Sequence, residues 1–524
     1  MRTHTVSSSL PVSPWSRVHS IASRRSAADR PRARAWIGFF LASWMIVGAL
    51  VGTARAQIPR DIHIPEFEPW VPPFGWSITN LALQRNVLVV VVDDVGVDQV
   101  PKYVEYYATN SVVGDEIVTG AASTPTSLPT VDRLAAAGVT FLSAWSSPTC
   151  SPTRAGLYSG RGSFRHGVYS PLAPDLPSGT TTIAQVMGAE GYATGLFGKW
   201  HLGETSTDPL GRPHEFGWDH HAGILGGALP SYYDWERVEN GVAARTTDYA
   251  TSVTQGDALA WITARTGRWM ATVAFSAAHW ASGATAYEAP PAGCAYTNRV
   301  ATQRQTYRSM LECADRNLAD LLAGIDPAVL EKTTIIFMGD NGTDSGITRH
   351  FASGHAKGSL YEGGVNVPLI VADGYAYLHG TQSPFIGAGR VIAPGRFEAA
   401  PVQTMDVFAT VAEIGLADAT CGADSVSLVP YLRSATASPQ RSAIMAETLD
   451  ATTGQWDLAV RGPSYKLVVR DYDGTPSYEL YDLVNDRWEA TDLLAGGTSF
   501  LEAVIRDVLL GYLDDLLAVP DACP

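Results

Sequence analysis

Several things are scarce in this chain of 524 residues. It has 37 lysines and arginines against 52 aspartates and glutamates, a formal charge of −15. That excess of acid makes nucleic acid and anionic membrane surfaces poor partners. Neither a Gly-x-Ser-x-Gly nucleophile elbow nor a His-Glu-x-x-His pair occurs, which argues against a serine hydrolase and a zinc protease. No cysteine or histidine pair has zinc-like spacing. Internal repeats and low-complexity linkers are absent beyond the N-terminal leader. Cysteines number five, an odd count that leaves one thiol over when the others pair.

The leader is residues 1–56: arginines up to Arg34, an apolar stretch from Ala35 to Val51, then Ala54-Arg55-Ala56 as an A-x-A cleavage site before Gln57. It reads as a targeting segment, so the protein is expected to be exported, periplasmic or secreted, after cleavage near Ala56. The alternative is a retained anchor, although Trp36 to Val51 falls short of the roughly 20 residues that span a bilayer. Arg24-Arg25 lies too far from the apolar core for a twin-arginine signal. Eight of the 37 basic and one of the 52 acidic residues lie in the leader, so the remainder carries 29 basic and 51 acidic residues, a formal charge of −22. No stable membrane partner is expected. An anionic substrate then requires a local cluster of cations.

Beyond the leader, apolar strands alternate with helices, the pattern of an α/β fold whose mostly parallel sheet is flanked by helices and buried on both faces. The spacing predicts strands over Asn86–Val92, Val139–Ala144, Tyr192–Phe197, Ala271–Phe275 and Thr333–Met338, and a helix over Pro129–Ala137 closed by Gly138. Residues 57–435 are assigned to this large domain. From 436 to 524 the pattern changes to short antiparallel strands (Leu458–Arg461, Tyr465–Val469, Tyr478–Asp482) and a final helix at about Leu501–Leu517, a smaller α+β subdomain.

The polar groups of interest fall just past strand ends, where open α/β sheets bind ligands. Asp93-Asp94 follows the first strand, Lys199 and His201 the third, His279 the fourth, and Asp340-Asn341 the fifth. One acid pair after a strand is what an ordinary turn looks like; two such pairs, each after a buried strand, point to a metal. Asp93, Asp94, Asp340 and Asn341 offer only oxygen, which selects calcium or magnesium, and calcium is expected. Asn341-Gly342-Thr343 also matches a glycosylation acceptor, but a ligand inside a pocket could not carry a glycan.

The most informative stretch is Cys150-Ser151-Pro152-Thr153-Arg154, continuing through Gly160-Arg161. Pro152 suits the first turn of a helix, which places Cys150 at an electropositive N-terminus among free backbone donors. Arg154 adds a permanently charged fork of donors. Together they favour an oxyanion.

With Asp93-Asp94-x-Gly96, Gly191-Tyr192-Ala193-Thr194 through Gly198-Lys199-Trp200-His201-Leu202-Gly203, Asp340-Asn341-Gly342, Lys357 with Glu362-Gly363-Gly364, and Glu479-Leu480-Tyr481-Asp482-Leu483, the Cys150 block resembles the type I, formylglycine-dependent sulfatases, arylsulfatase-like members of the alkaline phosphatase superfamily. The match runs from about Asn86 to Leu494. The resemblance implies that Cys150 is oxidised to formylglycine by a maturation enzyme, and that a small-molecule or glycan sulfate ester is the substrate. It implies calcium held by Asp93, Asp94, Asp340, Asn341 and residue 150. Asp340 would be the base for the attacking hydroxyl, Arg154 and Lys199 would hold the hydrate and sulfate oxygens, and His201 would accept the second hydroxyl's proton. His279 and Lys357 would contact sulfate, one of them protonating the leaving alcohol; His355, two residues before Lys357, departs from the family pattern.

If Cys150 is modified, Cys294, Cys313, Cys421 and Cys523 remain for two disulfides, and proximity favours Cys294 with Cys313 and Cys421 with Cys523; buried free thiols are the alternative. Two other functions stay open: a phosphonate monoester or phosphodiester hydrolase of the same superfamily, and a non-catalytic binder of sulfated glycans. Specificity is expected from the loops Gly223–Trp235, with Tyr232, Tyr233 and Trp235, and His279–Pro291, where aromatic residues fit aryl rings, sugar faces or plain packing.

Overall fold

The continuous valine run of the first strand has a simple structural cause: alternate side chains enter two different cores. In the computed structural model, which describes residues 84–110, 126–172, 174–348, 350–385, 387–450 and 452–521, Leu88, Val90 and Val92 pack with Phe275, Phe337 and Leu311. Val87, Val89 and Val91 pack on the other face with Leu157, Tyr158 and Val407. The leader and its cleavage site lie outside the described residues. Among the described residues no helix is long and apolar enough to cross a membrane.

In chain order the first strands are β1 (Asn86–Val92), β2 (Gly138–Phe141), β3 (Ala144–Trp145), β4 (Ala193–Lys199), β5 (His220–Ile224), β6 (Trp235–Glu239), β7 (Val242–Thr246) and β8 (Trp269–Phe275). They are followed by β9 (Thr333–Gly339), β10 (Leu369–Asp373), β11 (Arg396–Glu398), β12 (Val402–Gln403), β13 (Ile444–Leu449), β14 (Trp456–Arg461), β15 (Tyr465–Arg470) and β16 (Ser477–Asp482). Ten of them form one mixed sheet in the order β11-β2-β10-β9-β1-β8-β4-β5-β6-β7. Its centre, β9-β1-β8-β4-β5, is parallel throughout. Four loops therefore leave from the same edge, after Val92, Lys199, Phe275 and Gly339. The helices Ala250–Thr263 and Gln303–Gly324 cover one face, and Cys150–Ser159 and Asp406–Gly415 cover the other.

The last four strands make a separate antiparallel sheet. The helix Phe500–Leu517 closes one of its faces through Leu509 and Leu513. Ile444, Ala446, Ala459, Val468 and Tyr481 on the other face pack against Trp145, Leu360 and Val365 of the large unit. The disulfide Cys294–Cys313 is present. Cys421 is also disulfide-bonded, whereas Cys523, its expected partner, lies outside the described residues.

The strand expected over Val139–Ala144 divides in two. β2 stays in the large sheet, its pairing with β11 extended by the Leu142 N–H donating to the Glu398 carbonyl, while β3 pairs with β12. Gly138 likewise has another role. The preceding helix ends at Ala136, and Gly138 opens β2, where an added Cβ would lie 2.4 Å from the Val371 carbonyl oxygen of β10. Replacing a glycine that merely caps a helix in the left-handed region by alanine costs about 1–2 kcal/mol. Gly138→Ala is expected to cost more, about 2–3 kcal/mol, because two paired strands must separate. Denaturant unfolding measures this, and a loss of a few tenths would contradict the packing described.

Candidate active site

The strand-end loops deliver their polar groups to a common pocket. Asp93 and Asp94 follow β1, Asp94 in the left-handed backbone region with φ 61°. The backbone N–H of Asp94 donates to Asp340 Oδ1 at 3.1 Å, and its carbonyl accepts the Tyr307 hydroxyl at 2.8 Å. Asp340 and Asn341 follow β9, and both are fully buried. One oxygen from each of Asp93, Asp94 and Asp340 lies within 4.8 Å of the others.

Every acid has a cation. Lys199 Nζ lies 2.6 Å from Asp93 Oδ2, Lys357 Nζ 2.5 Å from Asp94 Oδ1, and Arg154 Nη2 2.7 Å from Asp340 Oδ2. Arg154 Nη1 also donates to the Lys199 carbonyl at 2.9 Å, which joins the Cys150 helix to the end of β4. Three oxygens nevertheless remain buried without a donor: Asp93 Oδ1, Asp94 Oδ2 and Asn341 Oδ1. Buried acceptors are nearly always satisfied in folded proteins, and carboxylate and amide oxygens are the ligands that calcium and magnesium take. The donor set thus fits a hard divalent cation.

Cys150 begins its helix, buried, with Sγ 3.3 Å from His201 Nδ1. His201 itself has φ 58° and abuts Gly227, where a Cβ would stand 2.4 Å from Nε2. His279 donates Nδ1–H to the Trp280 carbonyl at 2.7 Å, which leaves Nε2 facing Asp94 Oδ2 at 3.9 Å. All ten residues picked from the sequence are brought to this pocket.

Electrostatics divide the groups. Burial raises the Cys150 thiol above its ordinary value, despite Lys199, so the unmodified side chain is a poor nucleophile near neutrality. Burial and then the charge of Lys199 push His201 down, holding the imidazole neutral. Burial works against the charges of Lys199 and Lys357, but Asp93 and Asp94 respectively reverse it and raise both. Burial raises Asp94 as well, and Lys357 and His279 outweigh it, leaving this carboxylate below its usual range. Asp340 goes the other way, raised by burial and by Asp93 in spite of Arg154.

Other residues that build the pocket left no signal in the sequence. Asp98 accepts the hydroxyls of Thr343 and Thr348, each at 2.7 Å, and so ties the β1 loop to the β9 loop. Tyr232, a candidate for the pocket mouth, is buried instead, its hydroxyl donating to the carbonyls of Ser276 at 2.5 Å and His279 at 2.8 Å. Trp235 is also buried, whereas Tyr233 is partly exposed.

A divalent cation is expected to raise the thermal midpoint of the protein, by about 2.7 kcal/mol of stabilisation at a hundred times its dissociation constant. Asp94→Asn is expected to remove most of that gain. A wild-type midpoint indifferent to the cation, or an equal shift in the variant, contradicts the metal site.

The Sulfatase family model matches residues 85–415. Human arylsulfatase A is 30% identical over 322 residues, 55% of this chain and 61% of that protein, so the chain spans under two thirds of this relative. The solved structure of Ps i-CgsB in complex with k-i-k-neocarrahexaose superposes with a TM-score of 0.63 at 22% identity, covering 82% of this chain and 93% of the other. Phosphonate monoester hydrolase of Agrobacterium radiobacter gives a TM-score of 0.56 at 19% identity, covering 83% and 95%. At such identities the structural likeness is one of fold. The family match takes in every strand-end group assembled above, and the chain belongs to the sulfatase family.

Proposed function

We propose that this protein hydrolyses sulfate monoesters, aryl or carbohydrate, to an alcohol and inorganic sulfate, with Cys150 converted to formylglycine and calcium as the resident ion. The observation that carries this reading is the set of three donorless oxygens, Asp93 Oδ1, Asp94 Oδ2 and Asn341 Oδ1, in a pocket whose cations also act on Cys150. Calcium, held by Asp93, Asp94, Asp340, Asn341 and residue 150, would supply charge that polarises a sulfate oxygen and lowers the pKa of the aldehyde hydrate. The hydrated aldehyde supplies one hydroxyl to attack sulfur and a second whose collapse releases sulfate.

The remaining work belongs to side chains. Asp340, raised above an ordinary carboxylate, takes the proton of the attacking hydroxyl. Arg154 and Lys199 hold hydrate and sulfate oxygens and stabilise charge as it develops. His201, kept neutral, accepts the proton of the second hydroxyl. His279 and Lys357 contact the sulfate, and one of them protonates the leaving alcohol. Maturation by a formylglycine-generating enzyme and export through the leader complete the reading, with residues 57–435 as catalytic domain and 436–524 as its C-terminal subdomain.

The fold likeness to a phosphonate monoester hydrolase keeps a second reading in view, because sulfuryl and phosphoryl groups are alike in shape. The k-i-k-neocarrahexaose bound to Ps i-CgsB supports setting sulfate esters of sugars beside simple aryl sulfates as the first substrates to try. Protein from its native host is expected to cleave aryl sulfates faster than aryl phosphodiesters or phosphonates and to lose activity on calcium chelation. Cys150→Ala is expected to lower kcat by about 1,000-fold or more, and peptide mass analysis to find an aldehyde at position 150 in the active protein. Faster phosphodiester or phosphonate turnover favours the second reading, and undiminished activity in the alanine variant overturns both.

A further inference from the structure

Four charged side chains are buried where the antiparallel sheet meets the turn that follows Lys357. Glu362 opens that turn, the short helix Glu362–Val365. Its Oε2 accepts from Arg461 Nη1 of β14 at 2.8 Å and from Asn366 Nδ2 at 2.9 Å, and its Oε1 accepts from Trp145 Nε1 at 2.9 Å. Lys466 of β15 pairs with Glu489 at 2.6 Å, while Glu489 Oε2 accepts the backbone N–H of Glu362 at 2.5 Å. Arg461 also reaches Ser143 Oγ at 2.9 Å. None of the four charged residues exceeds 4% exposure.

Such a cluster is an expensive way to glue a sheet to a core, since well-packed apolar residues usually do as well or better. What it supplies is a single geometry, and the backbone around it shows where that geometry is used. The Gly342 N–H, beside Asn341, donates to the Gly364 carbonyl at 2.9 Å, and the Gly363 carbonyl lies so close that a Cβ on Gly342 would stand 1.9 Å from it. Ser146 N–H, on the approach to Cys150, donates to the Val365 carbonyl at 2.8 Å. The Ala356 carbonyl, beside Lys357, would stand 2.7 Å from a Cβ on Gly364, and the Lys357 N–H donates to the Thr343 carbonyl. One turn thus touches the segments that carry Asn341, Lys357 and Cys150.

We propose that Glu362, Arg461, Lys466 and Glu489 are positioning residues, through which the C-terminal sheet sets the turn that places Asn341 and Lys357 in the active site. The kinetic part of this inference rests on the sulfatase reading; the metal-binding part does not use activity. Replacing one charged pair together, Lys466→Met with Glu489→Gln, removes opposite charges and keeps side-chain length. Arg461→Lys is the second variant, keeping charge but losing the fork that joins Glu362 to Ser143.

Calcium affinity, read from the calcium-dependent shift in thermal midpoint, is expected to weaken about tenfold or more in each, as is usual when a ligand's supporting partners are lost. On an aryl sulfate, kcat is expected to fall about tenfold with a smaller change in KM, and this fall to be smaller in a Lys357→Ala background, where one of the two groups being placed is already gone. If the paired variant does not fold, Arg461→Lys decides alone. Unchanged calcium affinity and kcat, or losses that simply multiply with that of Lys357→Ala, overturn the proposal. A wild-type protein inactive on sulfate esters contradicts the proposed function instead, and the calcium arm then decides positioning.

Discussion

Three carboxylates with oxygens within 4.8 Å of one another, closed off from water, repel strongly. At an effective dielectric of roughly 20 each such pair costs about 3–4 kcal/mol. The pocket answers with one fixed cation per acid: Lys199 on Asp93, Lys357 on Asp94 and Arg154 on Asp340. Those pairs neutralise the site without satisfying it, because Asp93 Oδ1, Asp94 Oδ2 and Asn341 Oδ1 still lack donors. A divalent ion would supply what they lack and would leave the pocket net positive, the sign that draws an anionic ligand to a chain that is acidic overall.

Holding these charges requires rigid supports, and the parallel centre of the sheet provides them. β1, β4, β8 and β9 end side by side, so four short loops present their first polar residues at one place. The Cys150 helix arrives from the other face, fastened by the Arg154 bond to the Lys199 carbonyl. The small sheet is fastened by the charged cluster around Glu362, at the turn that also bonds Gly342 beside Asn341. The charges around the strand ends and those around Glu362 therefore form two adjoining layers.

The strands that carry the pocket were legible because burial on both faces writes an uninterrupted apolar run, as in Asn86–Val92, and because an acid or basic residue directly after such a run stands out. Edge strands were not: β7 has the solvent-exposed pattern of Val242–Thr246, and β11 and β12 are only three and two residues long. Gly138 looked like a cap since it follows a helix, although what demands glycine is the Val371 carbonyl, distant in sequence. Tyr232 looked like a pocket residue since aromatic rings serve equally for packing and for binding. The Asp98, Tyr307 and Glu362 contacts were invisible for one reason: their partners lie far along the chain, and spacing carries no record of them.

The proposed chemistry depends on a single ion beside an altered residue 150. Anomalous diffraction from crystals of protein purified from its native host, grown with calcium, tests that directly. It is expected to show one ion about 2.3–2.6 Å from oxygens of Asp93, Asp94, Asp340 and Asn341, and no sulfur at position 150. An intact thiol in active protein, or an ion bound elsewhere with these oxygens bare, would contradict it.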